Sequence, residues 1–469
     1  MFDYIEACIK DINDAMYGYL LIVILIFGGL YFTYRTKFVQ IRLIKEQFKA
    51  VLEKPAEEGG ISAFQALMVS TASRVGTGNI VGVSTALCLG GYGSIFWMWV
   101  IAIVGAASAF VESTLAQIYK KRGQDGFYGG PPYYIEKGIG SRGLAVFFSI
   151  ILIITYGFGF NMLASYNLQS SFEMYGFYNP NSTPYVIGAL VAVLVGYCLL
   201  GGGKRIAKVT GVVVPVMGAI YIAVAVIIVA MNITRLPDVL SRIFEEAFDF
   251  KSIFGGFSGS CIMYGIKRGL FSNEAGVGSA PNASATADVS HPARQGLVQV
   301  LSVFIDTVLV CSATAFMCLF SGVEPSAKLS GAPYVQEALK VSLGNIGPIF
   351  ITVSMIFFAF TTLVGKLYYV YQCVFYILKK EPSKKIKNIY YVAASIVVFV
   401  GAVLSADFLW NFADMTMGIM VLINMPVLFV LYKHANKALK DYQSQRRQGI
   451  TPVFKPDKGE YQVEEDVWI

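Results

Sequence analysis

Histidine is all but missing from this chain, with two in 469 residues. His291 stands beside Pro292 and His434 lies in a basic stretch. There is no HExxH and no nucleophile motif, so an enzyme is not expected. Charge is scarce too: 14% of residues are charged against 55% hydrophobic, which excludes an ordinary water-soluble globule. The seven cysteines show neither metal-ligand spacing nor a disulfide framework. Cys88, Cys198, Cys311, Cys318 and Cys373 fall in apolar runs, Cys261 in a broken one and Cys8 near the amino terminus, as small core residues do. The net charge of +7 is spread over short loops instead of one patch, so no nucleic-acid partner is expected.

What the chain has in abundance is long apolar runs. Eleven begin near residues 17, 61, 95, 143, 184, 210, 252, 296, 346, 388 and 407, each of a length that crosses a bilayer as a helix. The sequence therefore predicts an all-α integral membrane protein with eleven transmembrane helices. The acidic Phe2-Asp3-Tyr4-Ile5-Glu6 before the first run, and the lack of a small-residue cleavage site, predict a retained helix with the amino terminus outside. Lys and Arg are held on the cytoplasmic side. With the carboxyl terminus placed inside, 29 of the 37 fall in stretches on that side. Segment 236–248 carries an apolar stripe and should lie flat on the outer surface, 333–343 reads as a second short outer helix, and 272–295 as a long, ordered inner segment.

Two runs are interrupted. The second carries Val75-Gly76-Thr77-Gly78-Asn79 and the seventh Gly255-Gly256-Phe257-Ser258-Gly259-Ser260. Glycine clusters weaken a helix, and free backbone at membrane depth survives only where it is buried or lines a cavity. A pair of such breaks at matching positions of two halves points to a transport site made of discontinuous helices. The breaks lie five runs apart, and an odd repeat length forces inversion. Runs 2–6 and 7–11 then form a 5+5 inverted repeat with one extra amino-terminal helix. The expected divisions are 1–60 (extra helix and linker), 61–231 (first repeat), 232–251 (outer amphipathic segment), 252–432 (second repeat) and 433–469 (polar cytoplasmic tail).

At Gly76-Thr77-Gly78, unwinding would bare amides suited to a carboxylate and carbonyls suited to a cation, with the Asn79 amide oxygen as a further hard ligand. In the ninth run the adjacent hydroxyls of Thr361 and Thr362 could complete an oxygen cage, or could bond to carbonyls one turn back. Arg74 and Lys366 are charges at membrane depth, each costing at least roughly 2.5–3.5 kcal/mol unless it faces protein or water. Glu112 is a candidate partner for either, or a member of an ion pair at the cytoplasmic end.

These residues resemble the sodium:alanine symporters, also called the alanine or glycine:cation symporter family. The resemblance rests on Gly90-Gly91-Tyr92-Gly93-Ser94-Ile95-Phe96-Trp97-Met98-Trp99, on Ser73-Arg74-Val75-Gly76-Thr77-Gly78-Asn79-Ile80, on segment 129–138 and on Arg268-Gly269-Leu270-Phe271-Ser272-Asn273-Glu274-Ala275-Gly276. It implies the inverted-repeat fold of the bacterial leucine transporter and sodium-coupled symport of a small amino acid by alternating access. The implied setting is a monomer in a bacterial or archaeal inner membrane, with amino acid, sodium and lipid as partners and no cofactor besides the coupling ion. Proton coupling is the alternative, and a channel a more distant one. The resemblance places the substrate by Gly76, Thr77, Gly78 and Asn79, with Asn161 and Ala164 of the fourth run and Gly256, Phe257, Ser258, Gly259 and Ser260 of the seventh. It places sodium at the carbonyls of Ala72, Val75 and Phe358 and the hydroxyls of Thr361 and Thr362. Ala164 stands where many relatives carry Gln, and Lys366 where the family usually has Trp. A wider pocket containing an ammonium group implies Lys366 as a substrate-binding residue, and a substrate larger than alanine, acidic or amide-bearing.

Overall fold

A computed structural model describes residues 2–55, 60–123, 126–200, 202–249, 260–379, 383–456 and 467–468. Gly256, Phe257, Ser258 and Gly259 lie outside the described residues. Among the described residues seven helices are long and apolar enough to cross a membrane: α1 (Tyr4–Arg35), α4 (Gly93–Ile118), α5 (Arg142–Ser170), α7 (Arg205–Met231), α11 (Pro292–Ser321), α13 (Ile346–Leu378) and α15 (Ala406–Arg447). Between them stand α2 (Ala63–Arg74), α3 (Gly78–Gly90), α6 (Thr183–Leu199), α8 (Leu236–Ala247), α9 (Cys261–Asn273), α10 (Pro281–Ser284), α12 (Ala332–Leu343) and α14 (Lys384–Gly401). A two-stranded hairpin, Lys121–Gly123 with Gly126–Tyr128, follows α4.

Helix α4 is the hub, with α1, α9, α11 and α15 packed around it. Small residues allow this. A β-carbon at Gly265 of α9 would stand 2.5 Å from the Ser94 carbonyl oxygen, and one at Gly296 of α11 2.2 Å from Thr114 Oγ1. Side chains larger than hydrogen there would push the helices apart.

Helix α2 starts with a capping box in which Ser62 and Gln65 satisfy each other's amides, and it stops at Val75, whose ψ of 98° leaves the helical region. Helix α3 resumes with one wide π-type turn, Gly78–Gly82. The second interruption follows α9. Glu274 takes a left-handed conformation, Gly276 and Gly278 have φ of 83° and 87°, and helix resumes only at α10.

This interruption lies beyond the glycine cluster at 255–260, of which only Ser260 is among the described residues. Cys261 Sγ rests 3.5 Å from the Glu246 carbonyl oxygen at the end of α8, so α9 begins at the same end of the bundle as that amphipathic helix. Residues 274–289, expected in an inner connection, are buried deep in the bundle, with Val277, Ala280, Ala283, Ala285 and Ala287 fully covered. Lys267 and Arg268, on α9, are paired with Asp414 of α15. A helix interrupted so late reads as uninterrupted, because its first 13 residues have ordinary helical composition.

Candidate functional site

The two interruptions meet. Helices α3 and α9 run antiparallel: Gly90 approaches Cys261 at one end, while at the other a β-carbon on Gly78 would stand 2.8 Å from the Phe271 ring and Asn79 Nδ2 donates to Ser272 Oγ at 3.1 Å. Ser260 caps α9 at the end away from this junction, accepting from the Met263 amide. The 13 residues of α9 separate it from the break by roughly 20 Å.

At the first break the Gly76 amide donates to Asn79 Oδ1 at 2.7 Å, turning away from the carbonyl of Ala72 four residues back. Asn79 spends its amide nitrogen on Asp306 Oδ1 (2.7 Å), so the side chain serves as a local splint. Asp306 also accepts from Ser272 Oγ (2.7 Å) and Thr307 Oγ1 (2.8 Å), and it is fully buried. A buried carboxylate is tolerable only with such a donor set. Both Asn79 and Asp306 lie in π-type turns, Gly78–Gly82 and Phe304–Cys311, irregularities that recur at functional sites. Thr77 Oγ1 accepts from Asn167 of α5 at 3.3 Å.

Helix α13 closes the first break from the other side. A β-carbon at Gly365 would lie 2.9 Å from the Ser73 nitrogen, and one at Gly76 only 1.7 Å from Thr362 Oγ1. Thr361 and Thr362 differ. The Thr361 hydroxyl donates to the carbonyls of Phe357 (2.9 Å) and Phe358 (3.2 Å), the helical back-bond expected of a membrane threonine. The Thr362 hydroxyl is buried against Gly76 with no hydrogen-bond partner. An orphaned hydroxyl beside unwound carbonyls fits a hard cation. Among the described residues no cluster of His, Cys, Asp and Glu could hold a transition metal.

Lys366 lies one turn beyond Thr362. Its ammonium sits 3.9 Å from the centre of the Phe160 ring, which stacks on Phe271 at 4.5 Å; among the described residues it forms no direct ion pair, and the charges of Glu274 and Asp306 act on it from farther off. The aromatic faces supply part of the lost hydration. Phe160 is one turn before Ala164, which is also buried. Asn161 is fully buried, and neither amide atom has a hydrogen-bond partner.

Arg74 donates to Gln299 at 3.0 Å and forms no ion pair with Glu112. Glu112 instead holds the second break: its Oε2 accepts from the Gly278 amide (3.1 Å) and from Asn424 (3.2 Å), whose nitrogen also reaches the Gly276 carbonyl. Glu274 ties the breaks together, accepting from Ser73 (3.2 Å) and Ser279 (2.7 Å). Sequence reasoning missed Glu274, Asp306 and Asn167 as site residues. Asp306 had a signal, since a carboxylate inside an apolar run carries the same cost that singled out Arg74 and Lys366.

The Gly90–Trp99 signature serves architecture. Trp97 Nε1 donates to the Ala247 carbonyl at 3.1 Å, Phe96 packs on Phe244 and Phe248, and a β-carbon on Gly93 would meet the Ala247 nitrogen at 2.5 Å. It docks α8 onto α4.

Residues 2–456 match the sodium:alanine symporter family. The amino-acid carrier protein AlsT of Bacillus subtilis is 44% identical over 97% of this chain and 96% of its own. The probable sodium/glutamine symporter GlnT of the same organism is 41% identical over 97% and 94%. The sodium/alanine symporter AgcS of Methanococcus maripaludis is 36% identical over 91% and 94%. Among solved structures, MhsT in complex with L-phenylalanine superposes with a TM-score of 0.55 at 13% identity, covering 81% of this chain and 98% of that one, a likeness of fold.

Proposed function

The chain belongs to the sodium:alanine symporter family, and from that premise we propose that it carries an amino-acid zwitterion together with sodium across a cell membrane by alternating access. The observation that carries the assignment is the unpartnered Thr362 hydroxyl pressed against Gly76, where the helix of the first half is open. In this reading sodium binds between the carbonyls of Ala72 and Val75 and the α13 oxygens of Phe358, Thr361 and Thr362. Thr361 is released from its back-bond to take part. The substrate carboxylate is held by the amide groups of 76–79.

The irregular loop 274–280, whose amides are held largely by Glu112 and by the loop itself, is the second irregular segment beside the first break, with 256–259 of the expected stretch outside the described residues. Ser260 is too far along α9 to share a small substrate with Gly76. Glu274 and Glu112 hold that loop in shape. Sodium binding orders the first break and raises substrate affinity, and the substrate raises sodium affinity by the same factor.

The matched breaks five runs apart support the eleven-span, 5+5 inverted arrangement. The excess of Lys and Arg in alternate connections of the sequence supports an outside amino terminus and a cytoplasmic carboxyl terminus. Helices 61–90, 93–118, 261–284 and 292–321 then move against the rest.

For the substrate, the buried Lys366 ammonium, which makes no direct ion pair among the described residues, and the small Ala164 one turn from Phe160 favour a side chain longer than methyl that ends in a carboxylate or amide. The unsatisfied Asn161 amide is a further donor and acceptor for it. Purified protein in proteoliposomes, assayed with a radiolabelled amino-acid panel with and without a sodium gradient, tests this. Sodium-driven accumulation of at least one amino acid is expected, and its absence across the panel refutes the assignment.

A further inference from the structure

A second polar site lies far from the helix breaks, where α1 ends. The chain leaves that helix through Lys37 and Phe38, both with positive φ (55° and 56°), an uncommon pair for residues with side chains. The turn folds it back as the helices Val39–Arg42 and Ile44–Val51. Between this turn and the last turns of α15 is a cavity of about 400 Å³. Arg35, Lys37 and Arg42 line one wall, Lys440 and Arg447 the other, and among the described residues no Asp or Glu lines it.

Nearby acids are committed elsewhere. Glu46 takes Arg446 (3.1 Å) and Lys49 (3.0 Å) and accepts from Tyr442, which holds its carboxyl below the usual range. Arg42 donates to the carbonyls of Lys37 (3.0 Å) and Thr36 (3.3 Å), and Arg35 bonds to the Tyr432 hydroxyl. These contacts position the guanidinium groups without cancelling their charge. Cations flanking a span are ordinary. Five converging on one concavity with no acidic residue among the described ones lining it repel one another, and an anion relieves that.

The rim decides which anion. Tyr34, Phe38, Ile41 and Phe48 are each 54–73% exposed and continue the lipid-facing side of α1 past its end. An apolar rim beside a cationic hollow at the end of a membrane span is the setting in which headgroups of acidic lipids are recognised. We propose that this cavity binds the phosphodiester headgroup of an anionic glycerophospholipid. Its acyl chains lie along Tyr34, Phe38 and Ile41, and the lipid fastens α1 to α15.

Native mass spectrometry on the full-length protein in a neutral detergent, titrated with phosphatidylglycerol, phosphatidylcholine or inorganic phosphate, tests it. Phosphatidylglycerol should be retained about tenfold more strongly than phosphatidylcholine. Combined Lys37→Gln, Arg42→Gln, Lys440→Gln and Arg447→Gln changes should erase that preference, and the single exposed Lys440→Gln change, which leaves the fold alone, should reduce it. Lys385→Gln with Lys387→Gln, basic residues at the start of α14, should leave it intact. Equal retention of the two lipids, an unchanged preference in the combined variant, or an equal loss in the α14 variant would overturn the proposal. Occupancy by millimolar inorganic phosphate with no lipid preference would overturn the lipid assignment as well.

Discussion

The side-chain oxygen of Thr362 occupies the space in which a β-carbon at residue 76 would stand, 1.7 Å from that point. Gly76 is therefore required by contact. Gly76→Ala would force α13 away from the first break, an overpacking cost of about 1–3 kcal/mol. Apparent sodium affinity in uptake assays should fall by about tenfold or more. Thr362→Ala, which removes the oxygen and relieves the crowding, should lower sodium affinity by roughly tenfold while leaving insertion into the membrane unchanged. Sodium dependence equal to wild type in both variants would remove Thr362 from the cation site.

Asp306 gathers Asn79, Ser272 and Thr307 around one buried carboxylate. Asp306→Ala strands three donors, each costing about 1–3 kcal/mol when unpaired. The melting temperature in detergent should drop by several degrees, and sodium-driven uptake should be lost. Asp306→Asn, which keeps one acceptor, should fall between. An Asp306→Ala protein that melts and transports like wild type would show that the cluster does not hold the first break.

Lys366→Trp restores the bulk usual in the family and removes the ammonium. The account expects the preference among amino acids to shift toward alanine and glycine and away from long polar side chains, read as ratios of uptake rates over a radiolabelled panel. A panel that does not change would end the role assigned to Lys366.

His291, at the start of α11, is fully buried against Tyr442 and Phe454, with Asp441 3.2 Å away and Arg294 nearby. Burial lowers its pKa to about 4, with Asp441 opposing and Arg294 reinforcing the shift. The unfolded imidazole titrates near 6.5. Below that value the unfolded chain binds a proton that the folded chain refuses, so stability is lost as the pH falls from 6.5 towards 4. The total is roughly 3 kcal/mol. Melting curves at pH 7.5 and pH 5 should differ in the wild type and differ less in His291→Gln; equal pH sensitivity would place the effect elsewhere.

The first break was legible in sequence because glycines and a polar amide interrupt an otherwise apolar run. The expected second break at 255–260 lies almost wholly outside the described residues, and the interruption at 274–280 is a feature that the sequence reading did not single out. Gly255-Gly256 and Gly259 are the denser glycine cluster, whereas the break at Glu274, Gly276 and Gly278 follows two charged residues, Lys267 and Arg268, that mimic a cytoplasmic flank. Their partner Asp414 is about 150 residues away on α15, and nothing local announces it. The donors around Asp306 come from three different helices and those of Glu274 from α2 and the loop after α9, so the partners of neither can be read from local sequence.

The claim that sodium and substrate share one opened helix is tested most directly by equilibrium binding to purified protein, titrating substrate at several sodium concentrations and sodium at several substrate concentrations. The account predicts that each tightens the other by the same factor, and that Thr362→Ala shrinks both factors together. Substrate affinity indifferent to sodium, lithium and pH would contradict it.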